Sequence, residues 1–141
     1  TYLALRGLPT LFIRMKEIEK NAIQLANYLK KHPKVSKVFH PALPDFYNHH
    51  IWKRDFSGSS GLFSFTLDKK YSNRKIEKFC KKLKIFQIGY SWGSFESLIT
   101  FPSLKERFFK NTIKGNLVRI YCGLEDSKDQ INDIEKALKS L

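Results

Sequence analysis

Acidic side chains are scarce in this sequence: 13 aspartates and glutamates stand against 26 lysines and arginines, a formal charge of +13 over 141 residues. Cysteine is nearly absent, with only Cys80 and Cys122. Two thiols without a secretory context imply a reducing, cytoplasmic compartment. No apolar run approaches the roughly eighteen residues of a membrane helix. The opening residues also lack a signal-peptide layout, so no membrane partner is expected. There is no initiator methionine, and Met15 is the only methionine. The chain shows no internal repeat, low-complexity segment or flexible linker.

What is present describes a folded domain. Hydrophobic residues make up 42% and aromatics 14%, which excludes a disordered chain. The length suits one domain over 1–141, large enough to bury a core. The charge invites a nucleic-acid partner, because phosphate neutralisation supplies most non-specific affinity. Yet twenty of the basic residues are lysines spread along the chain, in a sequence rich in Asn, Ile and Phe. A genome biased toward A and T gives that mixture without any partner, so composition outweighs nucleic-acid binding.

Taken in order, Leu11, Met15, Ile18, Ala22, Leu25, Ala26 and Leu29 draw one apolar stripe down a long helix. His32-Pro33 ends it. Val35 to Phe39 follows as a strand, and His40-Pro41-Ala42-Leu43-Pro44 as a non-helical surface connection. One or two helical turns are expected across Asn48–Phe56. His40, His49 and His50 suggest a metal, but adjacent histidines cannot face one ion from a regular helix and no cysteine or carboxylate completes a set. They are taken as surface histidines, with no metal ligands. Gly58-Ser59-Ser60-Gly61 resembles a phosphate loop but opens a strand, Leu62–Leu67, where such a loop should open a helix; it is a turn.

A second helix, capped by Ser72 or Asn73, buries Ile76, Phe79, Cys80 and Leu83, which makes Cys80 an inert core thiol. Ile85–Ile88 and Glu96–Phe101 are expected as extended segments, and Ser103 as the cap of a short helix through Phe109. Lys114-Gly115-Asn116 turns into a last strand, Leu117–Cys122. There Leu117, Arg119 and Tyr121 share one face and Val118, Ile120 and Cys122 the other. A final helix opens with a capping box, Ser127 and Gln130, and buries Ile131, Ile134, Leu138 and Leu141. Helices interleaved with short strands imply an α+β, two-layer sandwich, helices on one face of a small, mainly antiparallel sheet.

Two stretches carry chemistry. Gly89 and Gly93 bracket Tyr90-Ser91-Trp92, so a sharp turn can present a hydroxyl and large rings together. Arg119 stands among apolar strand neighbours, where a planar, permanently charged fork suits a carboxylate. From the residues alone, Arg119 could equally pair with Glu125 or Asp126, Trp92 could be core, and Ser91 a turn serine bonding its own backbone.

The order of several stretches narrows these choices. Arg6-Gly7-Leu8-Pro9-Thr10-Leu11, His32-Pro33, His40 to Pro44, Trp52 to Phe65, Tyr90-Ser91-Trp92-Gly93 and Arg119 with Gly123-Leu124-Glu125-Asp126 occur along the whole chain. In that order they resemble the C-terminal part of the pyridoxal-phosphate enzymes of cysteine and methionine metabolism. Trp92, where much of that family has leucine, resembles the bacterial cystathionine beta-lyase branch; Ser94 departs from a common glycine.

The resemblance implies a good deal. Residues 1–141 would be the C-terminal small domain of a fold type I subunit, with 1–31 a long helix leading from an absent cofactor domain. The complete enzyme would be a homotetramer that splits L-cystathionine into homocysteine, pyruvate and ammonia in methionine biosynthesis. Arg119 would bind the substrate α-carboxylate, Ser91 would assist there and near the cofactor lysine, and Tyr90 and Trp92 would line the pocket. Pyridoxal 5'-phosphate would be held by the absent N-terminal part. No lysine of this chain matches the Schiff-base motif, so it should contain no catalytic or cofactor-binding residue and be inactive alone. The competing readings are a stand-alone basic module binding nucleic acid or another partner, and a sister cystathionine gamma-synthase or gamma-lyase.

Overall fold

A computed structural model describes residues 1–68, 70–103 and 113–141. The chain opens with a short helix, α1 (Tyr2–Gly7), and a 3-10 turn over Leu8–Thr10. The long helix α2 (Leu11–Lys30) then begins. The expected continuous helix over 1–31 is thus divided. Pro9 has no N–H to continue the helical ladder, and Thr10, at φ −101° and ψ 0°, leaves helical geometry. Arg14 reaches back to bond the carbonyl of Gly7 at 2.8 Å, which fixes the turn on α2.

Five strands form one sheet in the order β1-β2-β5-β4-β3. They are β1 (Val35–Phe39), β2 (Leu62–Leu67), β3 (Gln87–Ile88), β4 (Leu98–Thr100) and β5 (Leu117–Tyr121). Every pairing is antiparallel except β3 with β4. Alternation sends Phe63, Phe65, Ile99, Val118 and Ile120 into the core, where they meet Leu25 and Leu29 of α2. Phe79 of α4 (Asn73–Lys82) and Ile134 and Leu138 of α5 (Ser127–Lys139) close the same cluster. This is the anticipated α+β sandwich. Each such fully buried side chain contributes roughly 1.5–3 kcal/mol. The opposite sheet face carries Ser64, Arg119 and Thr100 side by side in register.

Several expectations are adjusted by hydrogen bonding. Ile85 and Phe86 do not extend β3, because their N–H groups, with that of Lys84, donate to the carboxylate of Asp133 on α5. Helix α5 is capped by Asp126, whose Oδ1 accepts from Lys128 N–H at 2.8 Å; Ser127 is already helical and Gln130 turns inward. Ser72 occupies the N-cap position of α4, as expected, without a side-chain cap bond. His40 and Leu43 are buried, so the proline-flanked connection is anchored inward at these two residues while Pro44 stays exposed, and the short helix α3 (His49–Asp55) follows it. Burial lowers the His40 pKa to about 4, against a weaker opposing pull from Glu19. Gly58–Gly61 is irregular backbone that leads into β2 and does not open a helix, and Gly61 lies where any Cβ would come within 2.3 Å of the Cys122 carbonyl oxygen. The helix expected from Ser103 to Phe109 lies largely outside the described residues.

Candidate functional site

The central strand β5 supplies Arg119, and the segment between β3 and β4 supplies Tyr90, Ser91 and Trp92. Arg119 Nη2 donates to the carbonyl oxygen of Tyr90 at 2.5 Å and, more weakly, to that of Ser91 at 3.4 Å. Arg119 is therefore held against the backbone of Tyr90 and Ser91, with Trp92 the next residue of the same loop. Its cross-strand neighbours are Ser64 and Thr100, two short side chains. The donors on Nε and Nη1 have no partner among the described residues, which leaves positive charge and N–H groups available to an incoming anion.

Neither acidic neighbour claims the arginine. Asp126 is spent on its helix cap, and Glu125 on Ser97: Oε1 accepts from Ser97 N–H at 2.8 Å and Oε2 from the Ser97 hydroxyl at 2.7 Å. Trp92 is 62% exposed and Tyr90 80% exposed, so neither belongs to the core. Ser91 is exposed as well. Gly93 has a φ of +91°, the left-handed turn that brings the chain back toward β4.

The loop that carries these side chains is fastened along its length. Beyond Arg119, Tyr121 Oη donates to the Ser94 carbonyl at 2.8 Å, and Leu124 N–H to the Phe95 carbonyl at 2.8 Å. Gly123 N–H donates to Ser97 Oγ at 2.8 Å, and Gln130 Nε2 to the same oxygen at 3.0 Å. Asn21 of α2 holds the far side by donating to the carbonyls of Gly123 and Glu125. Gly123 is required by space: a Cβ there would lie 2.0 Å from the Phe95 carbonyl oxygen.

Sequence reasoning missed Asn21, Ser97, Glu125 and Gln130 as supports of this site. A signal existed for two of them. Asn21 and Gln130 sit at helical positions that a simple apolar stripe would fill, Asn21 beside Ala22 and Gln130 four residues before Ile134. A polar group at such a position needs a buried partner. The cysteines play no part: burial pushes the Cys122 thiol far up and that of Cys80 upward, away from the reactive thiolate.

Among the described residues there is no group of three or more His, Cys, Asp and Glu placed to hold a metal. No helix among them is long and apolar enough to cross a membrane. Among the described residues, the hydrogen bonds that hold the Tyr90–Ser97 loop involve Arg119, Tyr121, Leu124, Gly123, Glu125, Gln130 and the strand neighbour Gln87.

Comparison with known proteins decides the relationship. The model of the Cys/Met metabolism PLP-dependent enzyme family matches residues 1–139. The chain belongs to that family. Its relatives include the L-alanine/L-glutamate racemase of Wolbachia pipientis wMel, 44% identical over 99% of this chain and 36% of the relative. Cystathionine beta-lyase MetC of Escherichia coli K12 is 39% identical over 95% of this chain and 35% of its own length. Cystathionine gamma-lyase of Dictyostelium discoideum is 40% identical over 97% of this chain and 37% of its own. The chain thus spans little more than a third of these family members. The family is one of pyridoxal-phosphate-dependent enzymes.

Proposed function

We propose that this chain is the substrate-carboxylate-binding part of a pyridoxal-phosphate-dependent carbon–sulfur lyase, a cystathionine beta-lyase, that acts only in the complete protein. The observation that carries the reading is Arg119, braced by the Tyr90 and Ser91 carbonyls beside an exposed Trp92. The complete enzyme would be homo-oligomeric, a tetramer in this reading, and would work in the cytoplasm on L-cystathionine in methionine biosynthesis. The residues that hold the cofactor, including its lysine, belong to the remainder of the protein.

The division of labour follows from the side chains. Pyridoxal phosphate, when bound by the remainder, supplies the electron sink for charge left at Cα. This chain's task is orientation. The scissile bond reacts only when aligned, and a guanidinium fixed by two carbonyls can hold a carboxylate in one pose. The hydrogen bonds to Ser94, Phe95 and Ser97 keep that pose from drifting. Tyr90 and Trp92 offer apolar surface to the rest of the thioether. Trp92, characteristic of the beta-lyase branch, favours this activity over the gamma-synthase and gamma-lyase.

A second reading rests on the 44% identity to the Wolbachia racemase. A carboxylate clamp serves any reaction that begins by removing the Cα proton, so the Arg119 site fits L-alanine as well as L-cystathionine. Coexpression with the rest of the protein tests both. The lyase reading expects a visible cofactor band and pyruvate from L-cystathionine. Replacing Arg119 with lysine should cut kcat/KM on the order of 100-fold, the worth of a lost charge-assisted contact of ~2–3 kcal/mol. Racemisation of L-alanine without pyruvate would replace the lyase by the racemase, and an unaltered R119K enzyme would remove Arg119 from substrate binding.

A further inference from the structure

Helix α4 concentrates positive charge in a way that composition does not explain. From Asn73 to Lys84 the chain has six cations and one carboxylate, Glu77. At 3.6 residues per turn, Arg74, Lys75, Lys78, Lys81 and Lys82 fall within an arc of about 120°. Ile76, Phe79, Cys80 and Leu83 take the other side and pack on the core. All five cations are exposed. The amphipathic period asks only for polar residues on that side; that five of them are cations is a separate fact.

Local stability does not account for them either. Lys81 and Lys82 suit the negative C-terminal end of the helix dipole. Arg74 and Lys75, however, stand in the first turn, where a helix prefers carboxylates and this one has none. Lys78 lies four residues from both Arg74 and Lys82, and like charges at that spacing repel. Among the described residues only Lys81 of the five pairs with a side-chain carboxylate, that of Glu77 at 2.7 Å.

Helix α5 continues the charge. The two helices run antiparallel: Lys75 Nζ donates to the Leu141 carbonyl at 2.9 Å, and Lys84 N–H to Asp133 Oδ1 at 2.8 Å. Between those ties α5 exposes Lys136 and Lys139. The carboxylates of the same stretch are engaged. Asp133 is buried and accepts from three N–H groups, and Glu135 is bonded to Tyr28, His32 and Lys139.

What the face lacks selects its partner. Neither α4 nor α5 exposes a large hydrophobic side chain. A helix that lies in a membrane surface needs such side chains, a protein interface needs an apolar centre, and a single-strand groove needs aromatic rings on which bases stack. Lysine and arginine alone fit a regular array of phosphates, and a duplex presents one charge per roughly 1.7 Å of its axis. Residues 74–82 extend about 12 Å along α4, a length over which a duplex carries about seven phosphates.

We propose that the outward face of α4, extended by Lys136 and Lys139 of α5, binds the phosphate backbone of duplex nucleic acid without reading its sequence. The helices pack on the sheet face opposite Arg119, so this is a second activity and does not depend on the lyase reading.

The test is binding of the complete protein to a fluorescein-labelled DNA duplex of about 20 base pairs, followed by anisotropy across a salt series. The expected result is a log affinity that falls linearly with log salt, with a slope of about −4 for the four or five phosphates such a face can neutralise. R74Q/K78Q/K82Q removes three cations that have no carboxylate partner among the described residues and keeps good helix formers. It should weaken binding about 10-fold or more and flatten the slope by about 2.7. K16Q/K20Q/K53Q, an equal loss of charge on α2 and α3, should weaken it less than about 3-fold. Circular dichroism checks that both variants keep their fold. No binding at about 50 mM salt, equal losses in the two triple variants, or a single strand held more tightly than the duplex would each overturn the proposal. So would tighter capture by phosphatidylserine vesicles, which would give the face to a lipid surface.

Discussion

Replacing Gly123 with alanine should be strongly destabilising. The added methyl would sit 2.0 Å from the Phe95 carbonyl oxygen, 2.6 Å from its carbon and 2.7 Å from a Glu125 carboxylate oxygen. The first two are backbone, so no rotamer change relieves the clash, and the 92–97 loop must move away from β5. Movement stretches the Leu124 N–H to Phe95 bond and the Gly123 N–H to Ser97 bond, both 2.8 Å. Overpacking costs about 1–3 kcal/mol and the two hydrogen bonds, stretched but not broken, together ~1 kcal/mol, giving a loss of ~2–4 kcal/mol. At ~4 °C per kcal/mol for a chain of this length, Tm falls by roughly 8–16 °C. Gly93 is the control, because it fails in the opposite way. It has open space for a methyl but a φ of +91°, so G93A should cost only ~1–2 kcal/mol of backbone strain. Thermal and urea unfolding of both variants, followed by tryptophan fluorescence, measures the difference. If G123A unfolds within ~1 kcal/mol of the parent, or no earlier than G93A, the close approach of the two loops is not what holds the site.

Two further outcomes are expected. His40 has a folded pKa of about 4 against an ordinary value of 6.5, so the unfolded chain takes up this proton first as pH falls. Its contribution is whole above pH ~6.5 and is lost between there and about 4, by up to ~3 kcal/mol. Urea unfolding across that range should show the slope, and H40F should flatten it; an equally steep profile in H40F assigns the effect elsewhere. Asp133→Ala should strand the N–H groups of Lys84, Ile85 and Phe86 and destabilise the chain by ~3 kcal/mol or more. Hydrogen exchange should speed up at those three amides before others, and uniform acceleration would refute a local role.

The core was legible because periodicity reports burial directly. The three-four spacing of Ile18, Ala22, Leu25 and Leu29 and the alternation of β5 gave α2, the last strand and its two faces. The meeting of Arg119 with Tyr90 and Ser91 was legible only through motif order, since they are 28 and 29 residues apart and joined by carbonyl groups that every residue possesses. For the same reason the sequence hid Asp133 as the organiser of residues 84–86 and Asp126 as the true cap. Both act through backbone N–H groups that leave no trace in residue type. His40 was misplaced because a histidine between prolines and a loop resembles a surface residue, whereas its ring packs at a tilt 5.4 Å from that of Phe63.

The fastening of the Tyr90–Phe95 loop through its carbonyls has a consequence for how such a protein can change over generations. The groups that grip it attach to main-chain oxygens of Tyr90, Ser91, Ser94 and Phe95, which survive any substitution at those positions. The side chains that face solvent are therefore uncoupled from what keeps the loop in shape. A lineage can exchange Tyr90, Trp92 or Ser94, and with them the surface the loop presents to its surroundings, while Arg119, Tyr121 and Gly123 keep the frame unchanged.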